Sequence, residues 1–576
     1  MRIFATAGHV DHGKSSLVTA LTGTNPDRWR EERERGMTID LGFAHFTLPS
    51  GREVSLIDVP GHIRFINNML AGVGGIHGAI LVVDAHEGWM PQTEEHLRIL
   101  ELAGTRHGVV VVSRVDLVDD DEAELTAIDT RERLAGTFLT DAPIVKVSTV
   151  RGDGLDDLRR ELDHMMDTSS GSPDRDRPRL FVDRVFAPKG SGTVVTGTLT
   201  DGSLAVGDSV VVQPLRREVR VRGIQTHGRT VESIEPGHRV ALNLSGVEHG
   251  DVRRGHAVVR ADDWHLTTML DASFSALSAL DHDVTRRGAY TMHVGSDELP
   301  VRLRVLGDES IRPGAKGFIR LHLAEPRPLA MGDRFVIRES GRDETVGGGV
   351  VRDVAPLLTA SRARPIDDDE TNVDRMVAER GWIDAVDLRR FTGVSRTPNV
   401  ARWVVDPAVL EATNESLRAR LAAAGADGLE ISSLDDRERA LLAMYADIQV
   451  TGGYARTRGS DDPLLSHPGI ETIRAGGCAP PVPTTLTNTE LRRLQKAGVL
   501  FERDGEWFHV DALETARLAA LGLLTTHPDG FTMSQFREAL GVTRKHAVPI
   551  ATELDARGVT RRRGDVRIAG PRLNRE

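Results

Sequence analysis

Residues 8–15 read Gly-His-Val-Asp-His-Gly-Lys-Ser, which has the spacing of a phosphate-binding loop. Glycines let backbone N–H groups close around phosphate oxygens, and a helix N-terminus adds favourable partial positive charge. Lys14 can supply a cation for the β- and γ-phosphates, and the Ser15 hydroxyl can ligate Mg²⁺. An apolar run precedes the loop and a helix-forming run follows it, which argues against a chance glycine-rich turn. We also expect nucleotide contacts from four other loop residues and the residue after it, Val10, Asp11, His12, Gly13 and Ser16.

Four further apolar runs indicate the elements that position this chemistry: residues 54–57, 79–83, 109–112 and 144–147. Short, nearly continuous apolar strands separated by helix-length segments predict a parallel sheet covered on both faces. Ligands of such sheets bind at the carboxyl ends of the strands. The residues that follow each run are therefore candidates for the site.

The run at 54–57 is followed by Asp58-Val59-Pro60-Gly61-His62. Asp58 can hold the hydration shell of Mg²⁺, the N–H of Gly61 can sense the γ-phosphate, and His62 lies where an attacking water needs orientation. The alternative for His62 is a surface turn residue. A charged loop, residues 33–40, comes earlier and contains Thr38. It predicts a switch that orders when Thr38 caps the metal and the γ-phosphate, and a solvated connector is the alternative.

The run at 109–112 is followed by Ser113-Arg114-Val115-Asp116. Asp116 can accept hydrogen bonds from guanine N1–H and its exocyclic amine, which adenine does not offer in that arrangement. Ser148, after the last run, is placed for a backbone contact to the guanine carbonyl oxygen. The sequence therefore predicts GTP and GDP, with Mg²⁺, as the bound cofactors.

Residues 8–14, 36–38 and 58–62 resemble the translational GTPases. Residues 25–28 and 38–43 resemble more narrowly the selenocysteine-specific elongation factors of the SelB type. The resemblance implies that Lys14, Ser15 and Thr38 act as described and that His62 orients the hydrolytic water. It also implies that Val10 and Met37 form an apolar gate that restrains the histidine until the ribosome acts.

One departure from the family pattern concerns the base. The family usually has Asn/Thr-Lys-x-Asp where this chain has Ser113-Arg114-Val115-Asp116. The planar head of Arg114 can still stack on the base, whereas Ser113 is too short to replace an asparagine amide. We expect guanine selection to survive through Asp116 and nucleotide binding to be looser.

Beyond a linker at residues 167–178, short alternating strands predict two small antiparallel barrels. One is expected from strands at 181–186, 193–199, 209–213 and 219–224, the other from strands at 301–305 and 317–321. Residues 189–197, 333–338 and 345–351 resemble the second and third domains of the family. That resemblance implies that Asp183, Arg184 and Arg239 surround the aminoacyl group, where cations would favour an ionised selenol over a serine hydroxyl. The alternative is that Asp183 and Arg184 form an ordinary surface ion pair of little value.

The last residues predict a winged helix: helices at 534–540 and 545–558, then a wing at 559–563 and 566–568. Basic residues gather at the second helix and in the wing: Arg544, Lys545, Arg561, Arg562, Arg563 and Arg567. This favours RNA binding, and the resemblance implies a grip on a selenocysteine insertion hairpin in mRNA. Weaker copies are expected at 373–405 and 491–510, and the former is expected to bind protein or nothing.

The predicted fold class is therefore multidomain: an α/β P-loop GTPase domain, two antiparallel β-barrels, and C-terminal α+β winged-helix repeats. We expect a GTP-binding domain at 1–168, barrels at 178–262 and 263–358, a winged helix at 365–430, a middle winged-helix region, complete or reduced, at 431–520, and a terminal RNA-binding winged helix at 521–576. The 576 residues carry a net charge of −12 and one cysteine. That balance argues against general nucleic-acid coating, and the cysteine count suits a reducing compartment.

The sequence predicts a cytoplasmic, monomeric selenocysteine-specific elongation factor with no signal peptide and no membrane partner. Its expected partners are selenocysteyl-tRNA, the mRNA hairpin and the ribosome, and its expected reaction is ribosome-stimulated GTP hydrolysis. Two other functions stay open: a general carrier of aminoacyl-tRNA like elongation factor Tu, and a GTP-gated winged-helix regulator that binds nucleic acid. The extra winged helices argue against the general carrier, because a factor that serves every codon needs no anchor on one message.

Overall fold

A computed structural model describes residues 2–26, 38–62, 65–168, 171–188, 192–459 and 462–573. The chain divides into two compact units, residues 1–397 and 398–576. The charged residues 33–37 of the expected switch, Met37 of the expected gate among them, lie outside the described residues. Residues 189–191 of the second-domain signature do so too.

The first unit begins with a six-stranded sheet in the order β2-β3-β1-β4-β5-β6, in which only β2 runs antiparallel to its neighbour. Its strands are β1 Arg2–Ala7, β2 Gly42–Thr47, β3 Glu53–Asp58, β4 Gly78–Asp84, β5 Gly108–Ser113 and β6 Ile144–Val147. Its helices are α1 Lys14–Thr22, α2 Ile66–Val73, α3 Pro91–Ala103, α4 Asp120–Arg133 and α5 Leu155–Thr168. Every residue of β4 is buried, because helices cover both faces of the sheet. The parallel sheet expected from the apolar runs is confirmed.

The second part of this unit is an antiparallel barrel closed in the order β11-β16-β7-β9-β15-β12 and back to β11. Its strands are β7 Arg179–Phe181, β8 Arg184–Phe186, β9 Thr193–Thr200, β10 Leu204–Ala205, β11 Ser209–Gln213, β12 Arg217–Thr226, β13 Arg229–Val231, β14 Ser233–Ile234, β15 Arg239–Ser245 and β16 Ala257–Val259.

The expectation of a single strand at 181–186 is wrong, because the chain there forms two strands, β7 and β8. Leu180 faces Leu199 on β9, but Arg184 faces Thr196, so the register shifts by one residue between them. Such a bulge redirects a side chain, and Asp183 lies in it.

A second closed barrel follows in the order β17-β22-β20-β19-β23-β24. Its strands, with the short pair β18 and β21, are β17 Leu266–Ala276, β18 Val284–Thr285, β19 Tyr290–Val294, β20 Asp297–Leu306, β21 Ser310–Ile311, β22 Lys316–Pro328, β23 Arg334–Glu339 and β24 Glu344–Asp353. Alternate residues of β20, such as Leu299, Val301 and Leu303, point into the barrel core. The unit ends with α6 Asp369–Arg380, β25 Trp382–Asp384 and α7 Ala385–Thr392.

The helices α6 and α7 pack on the second barrel. The Asn372 amide donates a 2.6 Å hydrogen bond to the backbone carbonyl of Arg352, and the backbone N–H of Met331 donates to the carbonyl of Phe391. The first helices of the winged-helix copy expected at 373–405 therefore belong to the same compact unit as the barrels.

The second unit is built from helices and small sheets. Its helices are α8 Pro407–Ala424, α9 Asp436–Leu442, α10 Pro468–Ala475, α11 Asn488–Lys496, α12 Asp511–Thr526, α13 Met533–Leu540 and α14 Arg544–Ala556. Its strands are β26 Trp403–Val405, β27 Leu429–Glu430, β28 Ile448–Thr451, β29 Tyr454–Thr457, β30 Leu500–Arg503, β31 Glu506–His509, β32 Phe531–Thr532, β33 Thr560–Arg563 and β34 Val566–Ala569.

The terminal part of this unit has the expected winged-helix form. Helix α13 starts with a capping box between Thr532 and Gln535, and α14 follows after a short turn. Strands β33 and β34 form the wing hairpin, with β32 as a third strand. Phe531, Phe536 and Ile550 are fully or nearly fully buried in its core. Within the described ranges, no helix combines the length and the apolar character that crossing a membrane requires.

Candidate functional site

The phosphate-binding loop joins β1 to α1, as its motif requires. Gly8 has φ +131°, and a Cβ there would lie 2.2 Å from the carbonyl oxygen of Val82, so only glycine fits. The buried Lys14 ammonium donates hydrogen bonds to the carbonyls of Gly8, at 3.0 Å, and His9. Burial lowers the pKa of Lys14 to about 8. A phosphate anion placed beside it would restore its full charge.

Three oxygen-bearing residues meet at the start of α1. The Ser15 hydroxyl donates a 2.7 Å hydrogen bond to Asp58 Oδ2 and lies 2.7 Å from the Thr38 hydroxyl. The other oxygen of the buried Asp58 accepts a 2.7 Å hydrogen bond from Thr6, which fixes its orientation. Hydroxyl and carboxylate oxygens are the hard donors that Mg²⁺ prefers. The residues present therefore fit the expected metal.

A cleft at the carboxyl edge of the sheet gathers most of the expected nucleotide contacts. Its lining residues are Val10, Asp11, Gly13, Lys14, Ser15, Ser16, Thr38, Gly61 and Arg114. Gly61 lies against the loop, because a Cβ there would be 2.7 Å from the Val10 nitrogen. His62 is outside the lining set and partly buried, with its ring 6.0 Å from that of Phe65.

The side chain of His12 is fully buried and is not part of the cleft lining. Its Nδ1 accepts a hydrogen bond from the backbone N–H of Asp84, and its Nε2 lies 3.3 Å from Glu87. Burial lowers the pKa of His12 to about 4, so the ring is neutral at pH 7. The side chain of His12 therefore anchors the loop to the end of β4, and the nucleotide contact expected of His12 stays a prediction for its backbone N–H.

The residues expected to recognise the base lie at the ends of β5 and β6. The Ser148 hydroxyl donates a 2.6 Å hydrogen bond to Asp116, and this bond holds the pKa of Asp116 below its ordinary value. Arg114 lies beside Gly13 and contacts Asp84 at 3.2 Å. The Ser113 hydroxyl donates a 2.7 Å hydrogen bond to the backbone carbonyl of His12. Ser113 is thus long enough to tie the base loop to the phosphate loop, which the sequence analysis did not expect.

Two residues of α3 that the sequence analysis missed hold the phosphate loop from behind. Gln92 Oε1 accepts a 3.1 Å hydrogen bond from the N–H of Val10, and His96 Nδ1 accepts one of 3.1 Å from the N–H of Gly8. Burial lowers the pKa of His96 well below its ordinary value, so the ring stays neutral and able to accept. Their spacing of four residues on a helix after β4 was the available signal.

The residues expected around the aminoacyl group lie close together. Both oxygens of Asp183 accept hydrogen bonds from Arg239, and Thr196 donates a third of 2.6 Å. Burial alone would raise the pKa of Asp183, but the charge of Arg239 and these bonds outweigh it and lower the pKa. Asp183 is buried in this bidentate pair with Arg239, so the alternative of an ordinary surface pair with Arg184 does not describe it.

Arg184 contacts the segment that follows the expected switch. Its guanidinium lies 3.0 Å from Asp40 and donates to the carbonyl of Leu41. The ring of Phe43 contacts both guanidinium groups, with Arg184 Cζ at 4.6 Å and Arg239 Cζ at 3.4 Å from its centroid. The cationic pair therefore lies directly on the strand that continues from Thr38.

On the terminal winged helix, four of the expected RNA contacts are exposed: Arg544, Lys545, Arg561 and Arg562. Lys545 pairs with Glu506 at 2.7 Å, and Arg562 donates to the carbonyl of Gly564. Arg567 was grouped with them, but it is buried and donates a 2.9 Å hydrogen bond to Asp555. Arg567 is therefore a structural residue of the wing, because side chains alternate between the faces of β34.

Comparison with known proteins gives three family matches. Residues 1–168 match "Elongation factor Tu GTP binding domain", residues 192–259 match "Elongation factor Tu domain 2", and residues 523–569 match "Elongation factor SelB, winged helix". A protein of Desulfomicrobium baculatum named selenocysteine-specific elongation factor is 32% identical over 98% of this chain and 99% of its own length. The chain belongs to the family of selenocysteine-specific elongation factors.

Two solved structures of this family agree with the assignment. The crystal structure of a bacterial selenocysteine-specific elongation factor, EF-Sec, matches with a TM-score of 0.74 and 28% identity, covering 99% of each chain. The elongation factor SelB of Methanococcus maripaludis, bound to the GTP analogue GppNHp, matches with a TM-score of 0.53 and 26% identity over 62% of this chain and 80% of that one. The multidomain fold class is confirmed.

As a selenocysteine-specific elongation factor, the chain is a GTP-binding translation factor and a GTPase. The full-length match includes the C-terminal arm, which the match to the elongation factor Tu GTP-binding domain, at residues 1–168, does not reach. The comparisons thus do not favour a general aminoacyl-tRNA carrier or a nucleic-acid regulator.

Proposed function

We propose that the GTP form of this chain binds selenocysteyl-tRNA as a monomer and delivers it to the ribosome at a UGA codon. A selenocysteine insertion hairpin in the mRNA marks that codon, the ribosome stimulates GTP hydrolysis, and the cycle takes place in the cytoplasm. One observation carries this proposal: Arg184 contacts Asp40, two residues after the Thr38 that meets Ser15 in the nucleotide cleft. A change at the nucleotide can therefore reach the aminoacyl pocket through one short segment.

In the GTP state, the residues of the cleft bind and orient the nucleotide. Lys14 and the loop N–H groups neutralise the phosphates, while Asp116 and Ser148 select guanine. Ser15, Thr38 and Asp58 would hold Mg²⁺, which supplies positive charge to the phosphate oxygens. His62 positions the attacking water once the ribosome has moved the histidine toward the γ-phosphate. Such preorganised charge and positioning account for most of the catalysis in this reaction class.

The aminoacyl pocket discriminates by charge. A selenol is mostly ionised at neutral pH, and a serine hydroxyl is not. Arg184 and Arg239 present two cations: Asp183 is bonded to Arg239 on both oxygens, and Asp40 lies 3.0 Å from Arg184. An anionic selenolate gains attraction from these cations, while seryl-tRNA leaves them without an added anion. We propose that this difference in charge is also how the pocket rejects the serylated precursor of selenocysteyl-tRNA.

The arm supplies the choice of message. Arg561 and Arg562 are on β33 of the wing, and Arg544 and Lys545 are at the start of α14. Both positions are where a winged helix meets phosphates. We therefore propose that these four residues bind the mRNA hairpin. Their contacts with its phosphates would supply most of the affinity.

The deciding experiment measures binding of the GTP-bound full chain to selenocysteyl-tRNA and to the same tRNA charged with serine. A strong preference for the selenocysteyl form that is reduced in Arg239→Gln supports the pocket and the function. An Arg229→Gln variant removes an exposed arginine of the same barrel and serves as the matched control. Equal binding of both tRNAs would contradict the specificity, and binding of neither would return the nucleic-acid regulator to first place.

A further inference from the structure

One end of the second barrel carries a cluster of potential metal ligands away from the nucleotide cleft. Among the described residues, ligand atoms of Asp281, His282 and Glu344 lie within 4.8 Å of one another. Asp281 and His282 precede β18, and Glu344 begins β24. The cluster therefore joins a loop to the β23–β24 hairpin, two segments that are distant in sequence.

Two glutamates of that hairpin face each other directly. Glu339 and Glu344 are cross-strand partners at the end of the β23–β24 ladder. Like charges in this position are destabilising unless a cation lies between or beside them. The Oε1 atom of Glu344 is buried, and no hydrogen bond to it is found among the described residues. The hairpin thus presents two carboxylates to the loop that carries His282.

The imidazole of His282 faces a carboxylate at each of its ring nitrogens. Its Nε2 lies 3.0 Å from Glu339, and its Nδ1 lies 2.9 Å from Asp281 Oδ1 and 3.6 Å from Glu344 Oε1. Ligands about 2.0–2.1 Å from a tetrahedral zinc are roughly 3.3 Å apart. The distances from Nδ1 to the Asp281 and Glu344 oxygens, 2.9 Å and 3.6 Å, fall on either side of that value. A metal-bound histidine characteristically donates its second N–H to a carboxylate, the position that Glu339 occupies.

We propose that Asp281 Oδ1, His282 Nδ1 and Glu344 Oε1 bind a divalent transition-metal ion of the zinc class, with Glu339 as the positioning residue. Asp281 is 81% exposed on its side chain, so solvent can supply the fourth ligand. Arg342 lies 3.0 Å from Asp281 and 4.0 Å from Glu344, and it must move aside when the metal enters. The ion clamps the loop to the hairpin and neutralises the facing glutamates.

The test uses the full chain kept saturated with GDP and Mg²⁺, stripped of other metals, and titrated with Zn²⁺ in a calorimeter and with Co²⁺ by visible absorption. We expect one site and an intense cobalt spectrum typical of four-coordinate geometry. His282→Gln and Glu344→Gln should abolish that spectrum. Glu339→Gln, which removes only the orienting carboxylate, should weaken binding about ten- to a hundredfold.

His322→Gln is the matched control, since it removes a histidine from β22 of the same barrel and should leave binding unchanged. Retained GDP binding and thermal midpoint show that each variant is folded. Undiminished zinc binding in both ligand variants would overturn the proposal. So would failure of the wild-type chain to bind, because the counter-cation would then be a proton on His282, held by Asp281 and Glu339.

Discussion

The hydroxyl of Ser113 donates a 2.7 Å hydrogen bond to the backbone carbonyl of His12, so the last residue of β5 is tied to the phosphate-binding loop. Ser113 is 3% exposed, and the two residues are 101 positions apart in sequence. The bond links the loop that we expect to recognise the base to the phosphate-binding loop. We therefore expect nucleotide affinity to depend on this serine.

Ser113→Ala should weaken GDP and GTP binding. A buried carbonyl that loses its donor costs about 1–3 kcal/mol, which corresponds to roughly five- to 150-fold in the dissociation constant. Equilibrium binding of a fluorescent guanine nucleotide measures the change. Ser50→Ala is the control, because its hydroxyl bonds Asp163 on the surface of the same domain. An unchanged affinity in Ser113→Ala would show that the tie has no part in nucleotide binding.

Guanine-nucleotide affinity should fall as the pH rises above 8. Burial lowers the pKa of Lys14 to about 8 in the free cleft, and a bound phosphate raises it again. Binding therefore takes up a proton at high pH, and affinity is highest where Lys14 is already charged, below pH 8. Between pH 7 and 8.5 the dissociation constant should rise roughly fourfold.

Calorimetry of GDP binding in two buffers of different ionisation enthalpy measures this proton uptake directly. At pH 8.5 the uptake should exceed that at pH 7, where Lys14 is already protonated. A flat pH profile with no proton uptake would contradict the low pKa of Lys14 in the free protein.

The nucleotide cleft was predictable because its residues are local: each follows an apolar strand, and parallel strands end at one edge. The contacts of Gln92 and His96 with the loop were harder to predict, since they join residues 82 and 88 positions apart. The same limit applies to Arg179, whose ion pair with Asp333 spans 154 positions and joins the two barrels. Local sequence patterns give strands and loops, whereas such pairings depend on how finished domains pack.

The inward orientation of Arg567 shows a second limit of prediction from the sequence. Sequence proximity placed it with the exposed wing arginines, but the alternation of β34 turns it inward to Asp555. The bulge at Asp183 is a similar case, because one extra residue decides which way a side chain points. Strand register and bulges depend on the partner strand, which a single sequence does not display.

Removing one partner of the Asp183–Arg239 pair should cost more than removing both. Arg239→Met leaves the buried Asp183 without its main counter-charge, which costs about 3–5 kcal/mol for a buried pair. The double variant Asp183→Asn with Arg239→Met should recover most of that loss. Urea unfolding of the wild type, the single variants Asp183→Asn and Arg239→Met, and the double variant gives the coupling free energy.

The pH dependence of this pair has a defined sign. The folded pKa of Asp183 is lowered, so its stabilising effect is present above the ordinary aspartate pKa and is lost as the pH falls through the folded value. Wild type should therefore lose its stability advantage over the double variant in acid. Additive single effects at neutral pH would contradict the coupling.

His293 should make the second barrel sensitive to mild acid. Burial lowers its pKa to about 4, with the charges of Arg338 and Arg254 adding to the effect. The folded state keeps the ring neutral while the unfolded state protonates below pH 6.5, so stability is lost as the pH falls from 6.5 toward 4. The loss amounts to at most about 3 kcal/mol.

His293→Gln should flatten this acid limb, and His249→Gln, at an exposed position, should leave it unchanged. Urea unfolding at pH 7, 6 and 5 gives the slope of the unfolding free energy against pH for the wild type and for each of the two variants. Parallel slopes for wild type and His293→Gln would rule out a buried neutral imidazole at this position.

The wing arginines should divide into two classes in RNA binding. Arg561→Gln and Arg562→Gln remove exposed charges, so each should weaken binding of an mRNA hairpin and reduce the salt slope of log K by about 1. Thermal stability should stay unchanged in both. Arg567→Gln should instead leave RNA binding nearly unchanged and lower the thermal midpoint of the terminal winged helix, because it breaks the buried bond to Asp555. Filter binding at several salt concentrations, with thermal unfolding of the same proteins, separates the classes. An equal salt slope in wild type and the Arg561 and Arg562 variants would place the RNA elsewhere on the arm.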